Sequence, residues 1–166
     1  MIDKQTVLDS MLKEIACIKH LATKVRPGTE TWRPSPEQRS VIELLRYVSY
    51  AGHGPIQSAV TGDWEGGKAR AEAAAKLSLA DIPGALDAEA RELKRLFAEI
   101  PSGDFLGKQV ARPGTEALPL GRFILDSGFK YLPAYKMQLF LYLKQQGVPN
   151  LNTINLWRGH DAPPKA

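Results

Sequence analysis

Apolar positions recur at helical spacing in four stretches of the chain, and the longest runs over residues 118–146. Leu120, Ile124, Tyr131, Tyr135 and Tyr142, with Gln138 in the same series, keep to one face of a 3.6-residue helix. Pro119 suits a first helical turn, and Gly147 followed by Pro149 is a stop signal. A helix of about 27 residues spans about 40 Å. That is long for a globular helix, so the segment is expected to be the central stave of a bundle. Within it, Pro133 cannot donate to the carbonyl of Phe129, which predicts a kink or bulge.

The other three stretches are shorter. Leu8, Met11, Leu12, Ile15, Ile18, Ala22 and Val25 form one stripe and predict a helix over 3–26. Cys17 and His20 fall off the centre of that stripe and are expected on its flank or at the surface. A second helix buries Val41, Leu44, Leu45, Val48 and Ala51. It has two possible starts, because Ser35-Pro36-Glu37-Gln38 and Ser40-Val41-Ile42-Glu43 both have the form of a capping box. Gly52, Gly54 and Pro55 break or kink it and leave His53 at the break. Leu86, Ala90, Leu93, Phe97 and Ile100 predict a third helix over 83–100. A short Ala-rich helix is expected near Lys68–Lys76, and residues 104–117 are expected to be irregular, with room for a short extended pair. The tail after Gly147 is too rich in Pro and Asn to predict a further helix, although Leu151, Ile154, Leu156 and Trp157 can pack back on the rest. The pentapeptide Arg-Pro-Gly-Thr-Glu occurs at 26–30 and again at 112–116. It marks either two related halves or two turns of one design.

Composition narrows the class. The 166 residues are 43% hydrophobic and 24% charged, enough for one buried core, and no linker separates two halves, so a single domain over 1–166 is expected. The net charge of +4 comes from 22 Lys/Arg interleaved with 18 Asp/Glu. Without a basic stripe, nucleic-acid binding is not expected. One cysteine, Cys17, excludes an intrachain disulfide and a cysteine-based zinc cluster. The N-terminus has no apolar signal region, and no uncharged apolar run is long enough to span a bilayer. A soluble cytoplasmic protein, not bound to a membrane, is expected.

The chemistry-bearing side chains are sparse. Tyr131 and Tyr135 share a helical face, Tyr47 and Tyr50 lie on the second helix, and Gln138 adds an amide. Tyr47 flanks the buried stripe of its helix by about 100°. His20, His53 and His160 sit on three separate segments without metal-ligand spacing. No nucleophile elbow, Walker A loop or dinucleotide fingerprint occurs, and Cys17 has no triad partners.

Three segments carry a resemblance: ELLRYVSYAG (43–52), KYLPAYKMQLFLYLK (130–144) and LNTINLWRG (151–159). Together they resemble the DinB-like (YfiT-like) superfamily. The resemblance implies an all-α, antiparallel four-helix bundle, commonly a homodimer, with the tail packed on the bundle. It also implies a divalent metal, nickel or zinc, on three histidines, and in some members a metal-dependent hydrolase or a thiol-dependent transferase. Here the three histidine positions are occupied by Tyr47, Tyr131 and Tyr135. A phenol titrating near pH 10 is a poor ligand for nickel or zinc at neutral pH. The expectation is therefore a protein without the usual metal or another cofactor. It would keep a small-molecule pocket lined by Tyr47, Tyr50, Tyr131, Tyr135 and Gln138, with hydroxyls hydrogen-bonded to one another or to water. The alternatives are tyrosines that only fill the core of a structural dimer, and an enzyme with metal ligands rearranged onto His20, His53 or His160.

Overall fold

A computed structural model describes residues 3–163, so the last three residues of the tail lie outside the described residues. The described chain is mostly helical. In order it forms α1 (Lys4–Ala22), α2 (Val41–Ala51), α3 (His53–Thr61), α4 (Gly66–Ala75), α5 (Ile82–Glu99) and α6 (Ser102–Gly107). A two-stranded antiparallel pair, β1 (Gln109–Val110) and β2 (Leu118–Pro119), joins Gln109 to Pro119 and Val110 to Leu118. Then come α7 (Leu120–Ile124), a wide π-turn over Leu125–Phe129, α8 (Tyr131–Gln145) and α9 (Thr153–Arg158). None of these helices is long and apolar enough to cross a membrane.

Local chemistry accounts for the boundaries. The Asp3 carboxylate accepts from the Thr6 N–H at 2.7 Å and starts α1. Of the two candidate starts for α2, Ser40 is used: its N–H donates to Glu43 Oε2 at 2.7 Å, and its hydroxyl accepts from the Glu43 N–H. The helix α1 stops at Ala22, short of residue 26, because Lys24 and Val25 donate to carbonyls three residues back instead of four. The repeated pentapeptide makes the same turn twice. Gly28 and Gly114 have φ of 84° and 80°, and in each copy the Thr N–H and hydroxyl both donate to the Arg carbonyl. The third position of such a turn needs positive φ, which suits glycine.

The core is lined by α1, α2, α5 and α8; α1 packs on both α5 and α8, and so does α2. Two of these chain paths are broken where they meet. The first break separates α2 from α3. Pro55 has no N–H for the Ala51 carbonyl, so a continuous helix would lose that bond. At the break, Glu89 of α5, only 1% exposed, takes over as acceptor. Its Oε1 accepts from the Gly52 N–H at 2.9 Å and the His53 N–H at 2.8 Å, while Oε2 pairs with His53 Nδ1.

The second break is the π-turn. The Lys130 N–H reaches back five residues to the Leu125 carbonyl, at 3.2 Å, just before Pro133. Gly128 in this turn lies against the first break, where an added Cβ would come within 2.9 Å of the Gly52 carbonyl oxygen. Glycine is therefore a packing requirement at position 128.

The π-turn corrects the expected face of the long helix. It absorbs one extra residue, so the buried stripe passes from Ile124 to Leu132, Lys136, Leu139 and Leu143. Tyr131, Tyr135 and Gln138 are rotated to the flank and are only partly buried. A single helix of about 27 residues is not formed, because α7 and α8 are separate.

Two further expectations are corrected by α9. The Asn-rich tail does form a helix, since the Asn152 side chain accepts from the Ile154 N–H at 2.8 Å and Asn155 Oδ1 accepts from the Asn152 N–H. This helix lies on α1 and closes over Cys17, which is fully buried instead of on a flank. Gly159 permits the approach, since a Cβ there would sit 3.2 Å from the Cys17 Cα. Burial pushes the Cys17 thiol up from its ordinary value. His20 is likewise mostly covered, with Nε2 3.0 Å from Asn155 Nδ2. The inward charge of Lys136 is met by Glu14 Oε2 at 2.8 Å and by the face of Trp157, 4.3 Å from the ring centroid.

The Glu89 clamp predicts a stability hierarchy. Glu89→Leu strands two backbone donors and His53, and should cost about 3 kcal/mol in urea denaturation. Glu89→Gln keeps an acceptor for the two N–H groups and should cost less. Wild-type stability of the leucine variant would contradict the clamp.

Candidate functional site

The flank of α2 places Tyr47 and Tyr50 beside the buried Leu44, Leu45 and Val48. Tyr47 is the hub of an aromatic cluster. Its ring centroid lies 5.4 Å from that of Tyr50 and 5.0 Å from that of Tyr135, both edge to face. Tyr131 follows at 6.4 Å from Tyr135. Each such pair contributes about 0.5–1.5 kcal/mol beyond burial. The Arg39 guanidinium lies over Tyr47, 4.3 Å from its centroid, and 5.7 Å from that of Tyr135.

Tyr47, Tyr131 and Tyr135 thus come together, but through ring edges. Among the described residues, none of their hydroxyls hydrogen-bonds another, so of the two arrangements expected the direct one is not formed. Gln138 is engaged elsewhere: its amide donates to the Tyr142 hydroxyl, and Tyr142 packs edge-on against Trp32 at 5.4 Å.

Burial pushes the Tyr47 phenol up to about 12, the neighbouring Tyr135 and Tyr131 add to this, and Arg39 opposes it. Tyr50 is also raised by burial, against the pull of Arg39 and Arg70. Both phenols are neutral at physiological pH and act as hydrogen-bond donors and acceptors.

A cavity of ≈ 370 Å³ opens where the α2–α3 break spreads the chain. Tyr47, Tyr50 and Ala51 line it before the break, and Gly54, Pro55 and Ser58 after it. Trp64, Arg70 and Arg112 complete the polar and aromatic wall, with Glu65 at the same wall. Its size falls in the range of small-molecule sites. Tyr47 and Tyr50 also face a second recess of ≈ 280 Å³ toward α4, and Arg112 a third of ≈ 390 Å³ toward Phe123. The edge-to-face contact of Trp64 with Phe123, at 5.8 Å, stands between the first and the third. Tyr131 and Tyr135 support Tyr47 from behind and do not line the cavity.

The histidines occupy three separate environments. His20 meets Asn155 near Asp161, His53 is held by Glu89, and His160 Nδ1 lies 2.9 Å from the Asp161 carbonyl oxygen. Among the described residues, no group of three or more His, Cys, Asp or Glu side chains is arranged to hold a metal ion. The His53–Glu89 pair was not singled out by sequence reasoning. Its signal was present, because Glu89 follows Leu86 by three residues and precedes Leu93 by four, placing a carboxylate inside an apolar stripe. Arg70 and Arg112 carried no comparable signal.

No protein-family model and no curated protein sequence matches this chain. Fold and site define a mostly helical protein with an aromatic-walled cavity at a helix break.

The raised Tyr47 phenol has a testable consequence. A folded value of about 12 against 10.0 for the free group means the folded state holds the proton more tightly. The stability this contributes is present below pH 10 and is lost as pH rises toward about 12. Ultraviolet phenolate titration should show a late-titrating tyrosine that disappears in Tyr47→Phe. Titration of all five tyrosines together near pH 10 would contradict it.

Proposed function

We propose that this chain is a DinB-like four-helix bundle, built from α1, α2, α5 and α8, that binds a small organic molecule in the cavity at the α2–α3 break. The observation that carries this reading is the cavity itself, whose walls combine the Tyr47 and Tyr50 rings and Trp64 with a few polar groups. The resemblance of the three sequence segments supports the bundle, as does the packing of α1 and α2 each against α5 and α8. Tyr47, Tyr131 and Tyr135, at the positions of the usual metal ligands, form an aromatic cluster that braces the cavity wall.

Homodimerisation is proposed through the face carrying Trp157, which is 53% exposed. Leu156, its neighbour in the tail, is buried within the protomer and belongs to the core.

Two experiments test the reading. Gly67 lines the cavity, and a Cβ added there meets nothing within 4 Å. Gly67→Phe should therefore fold normally and abolish the fragment hits found by ligand-observed NMR on wild type. Hits that all survive the substitution would place binding elsewhere. Separately, replacing Tyr47, Tyr131 and Tyr135 together by His should create tight nickel or zinc binding by supplying imidazole lone pairs. Stoichiometric binding by the wild type that persists after removal of His20, His53 and His160 would contradict the metal-free reading.

A further inference from the structure

We propose that the cavity at the α2–α3 break selects an organic anion, a planar ring bearing one carboxylate or phosphate ester, held between Arg70 and Arg112. The proposal rests on the reading of this cavity as a ligand site and names the class of ligand.

Two cations face the cavity, Arg70 from α4 and Arg112 from the turn between β1 and β2. Among the described residues, neither is in an ion pair. The one carboxylate in the wall is Glu65, so the lining carries one net positive charge. That balance favours an anionic guest.

Arg70 is built in rather than merely nearby. Its Nη1 donates to Gln57 Oε1 at 3.1 Å and its Nη2 to Ser58 Oγ at 3.2 Å, both neutral acceptors; the Asp63 carboxylate lies alongside, 3.4 Å from a Cβ built on Gly66, without forming an ion pair with Arg70. The guanidinium also lies in a slot made by two glycines. A Cβ at Gly54 would come 3.1 Å from Arg70 Nε, and one at Gly66 would come 2.9 Å from Nη1. Nε is sealed against Gly54 with no hydrogen-bond partner among the described residues, so the N–H groups left for a guest are those of the two Nη atoms not given to Gln57 and Ser58. A fixed planar fork with unmet charge is the arrangement that recognises carboxylate and phosphate oxygens.

The remaining wall fits the body of such a ligand. Trp64 and Tyr50 offer aromatic surface, and the Tyr50 hydroxyl stays neutral beside Arg70, so it can donate to an anionic oxygen. Arg112 comes from a turn whose geometry is fixed by Gly114, at φ 80°, and by the two hydrogen bonds that the Thr115 N–H and hydroxyl donate to the Arg112 carbonyl. The second copy of the repeated pentapeptide thereby acquires a role at the cavity that the first copy, at Arg26, does not share.

The probes are 2-naphthoate, phenyl phosphate and the neutral 2-naphthylmethanol, titrated by calorimetry with the Trp64 indole resonance as a location marker. Naphthoate is expected to bind at least about tenfold more tightly than the alcohol, a difference typical of one charge-assisted contact. Arg112→Met, in an exposed turn, should lower naphthoate affinity by about tenfold and leave alcohol affinity unchanged. Arg70→Lys retains the charge but not the fork and should also weaken naphthoate, which covers the case in which a neutral residue at 70 fails to fold.

Phenyl phosphate preferred over naphthoate would support the phosphate ester as the anionic group; the reverse would support the carboxylate. Equal affinity for acid and alcohol, both lost in Gly67→Phe, would overturn the anion assignment and leave the ligand site standing. Anion binding untouched by Arg112→Met, Arg70→Lys and Gly67→Phe would reflect only the positive net charge and would overturn the proposal. Failure of all three probes to bind would overturn both the anion class and the cavity reading on which it rests.

Discussion

The structure turns on one buried carboxylate. Glu89 accepts the two N–H groups freed where α2 breaks and pairs with the imidazole of the first residue of α3. A carboxyl so deeply buried is costly unless its oxygens are hydrogen-bonded, and here the backbone of the break and His53 supply three such contacts. The break in turn lets the π-turn preceding α8 approach, glycine against carbonyl, at Gly128 and Gly52. Two interrupted helices cross at their interruptions. The cavity opens on the side of that crossing where Tyr47 and Tyr50 precede the break and Gly54, Pro55 and Ser58 follow it.

The character of the site follows from what the tyrosines are bonded to. Their rings meet edge to face, so the cluster is held by quadrupole and dispersion contacts rather than by a shared proton or an ion. Burial keeps the Tyr47 phenol neutral, and Arg39 covers its face without ionising it. Arg70 and Arg112 line the same cavity as Tyr50 and Trp64, and among the described residues neither is in an ion pair. The aromatic cluster therefore supplies rigidity, and the arginines supply the charge available to a guest.

Much of the helix placement was legible in the sequence. The stripes of α1, α2 and α5, the Ser40 box and the stops at Gly52 and Pro101 all follow from periodicity and capping chemistry. The irregularity before Pro133 was also legible, but its consequence was not. A π-turn shifts the phase of every later residue, so a face drawn through Ile124, Tyr131 and Tyr135 at constant α-pitch buries the wrong side chains. Cys17 was misplaced for a different reason. A stripe describes what one helix buries against its main partners, and it cannot register a second cover such as α9, whose own formation depends on side-chain caps from Asn152 and Asn155. At the cavity, Tyr47 and Tyr50 were legible as the aromatic residues of the second helix. Arg70 and Arg112 became part of it only through tertiary approach, and Glu89 was hidden because an acidic residue in an amphipathic helix is ordinarily solvent-facing.

The dependence of the α2–α3 break on Glu89 is tested most directly by amide hydrogen exchange at Gly52 and His53. Both N–H groups lie outside regular helical bonding, yet both are held by a carboxylate sealed in the core. They are predicted to exchange as slowly as the central amides of α5, through global rather than local opening. Exchange of these two amides at the rate of exposed loop residues, while α5 remains protected, would contradict the account.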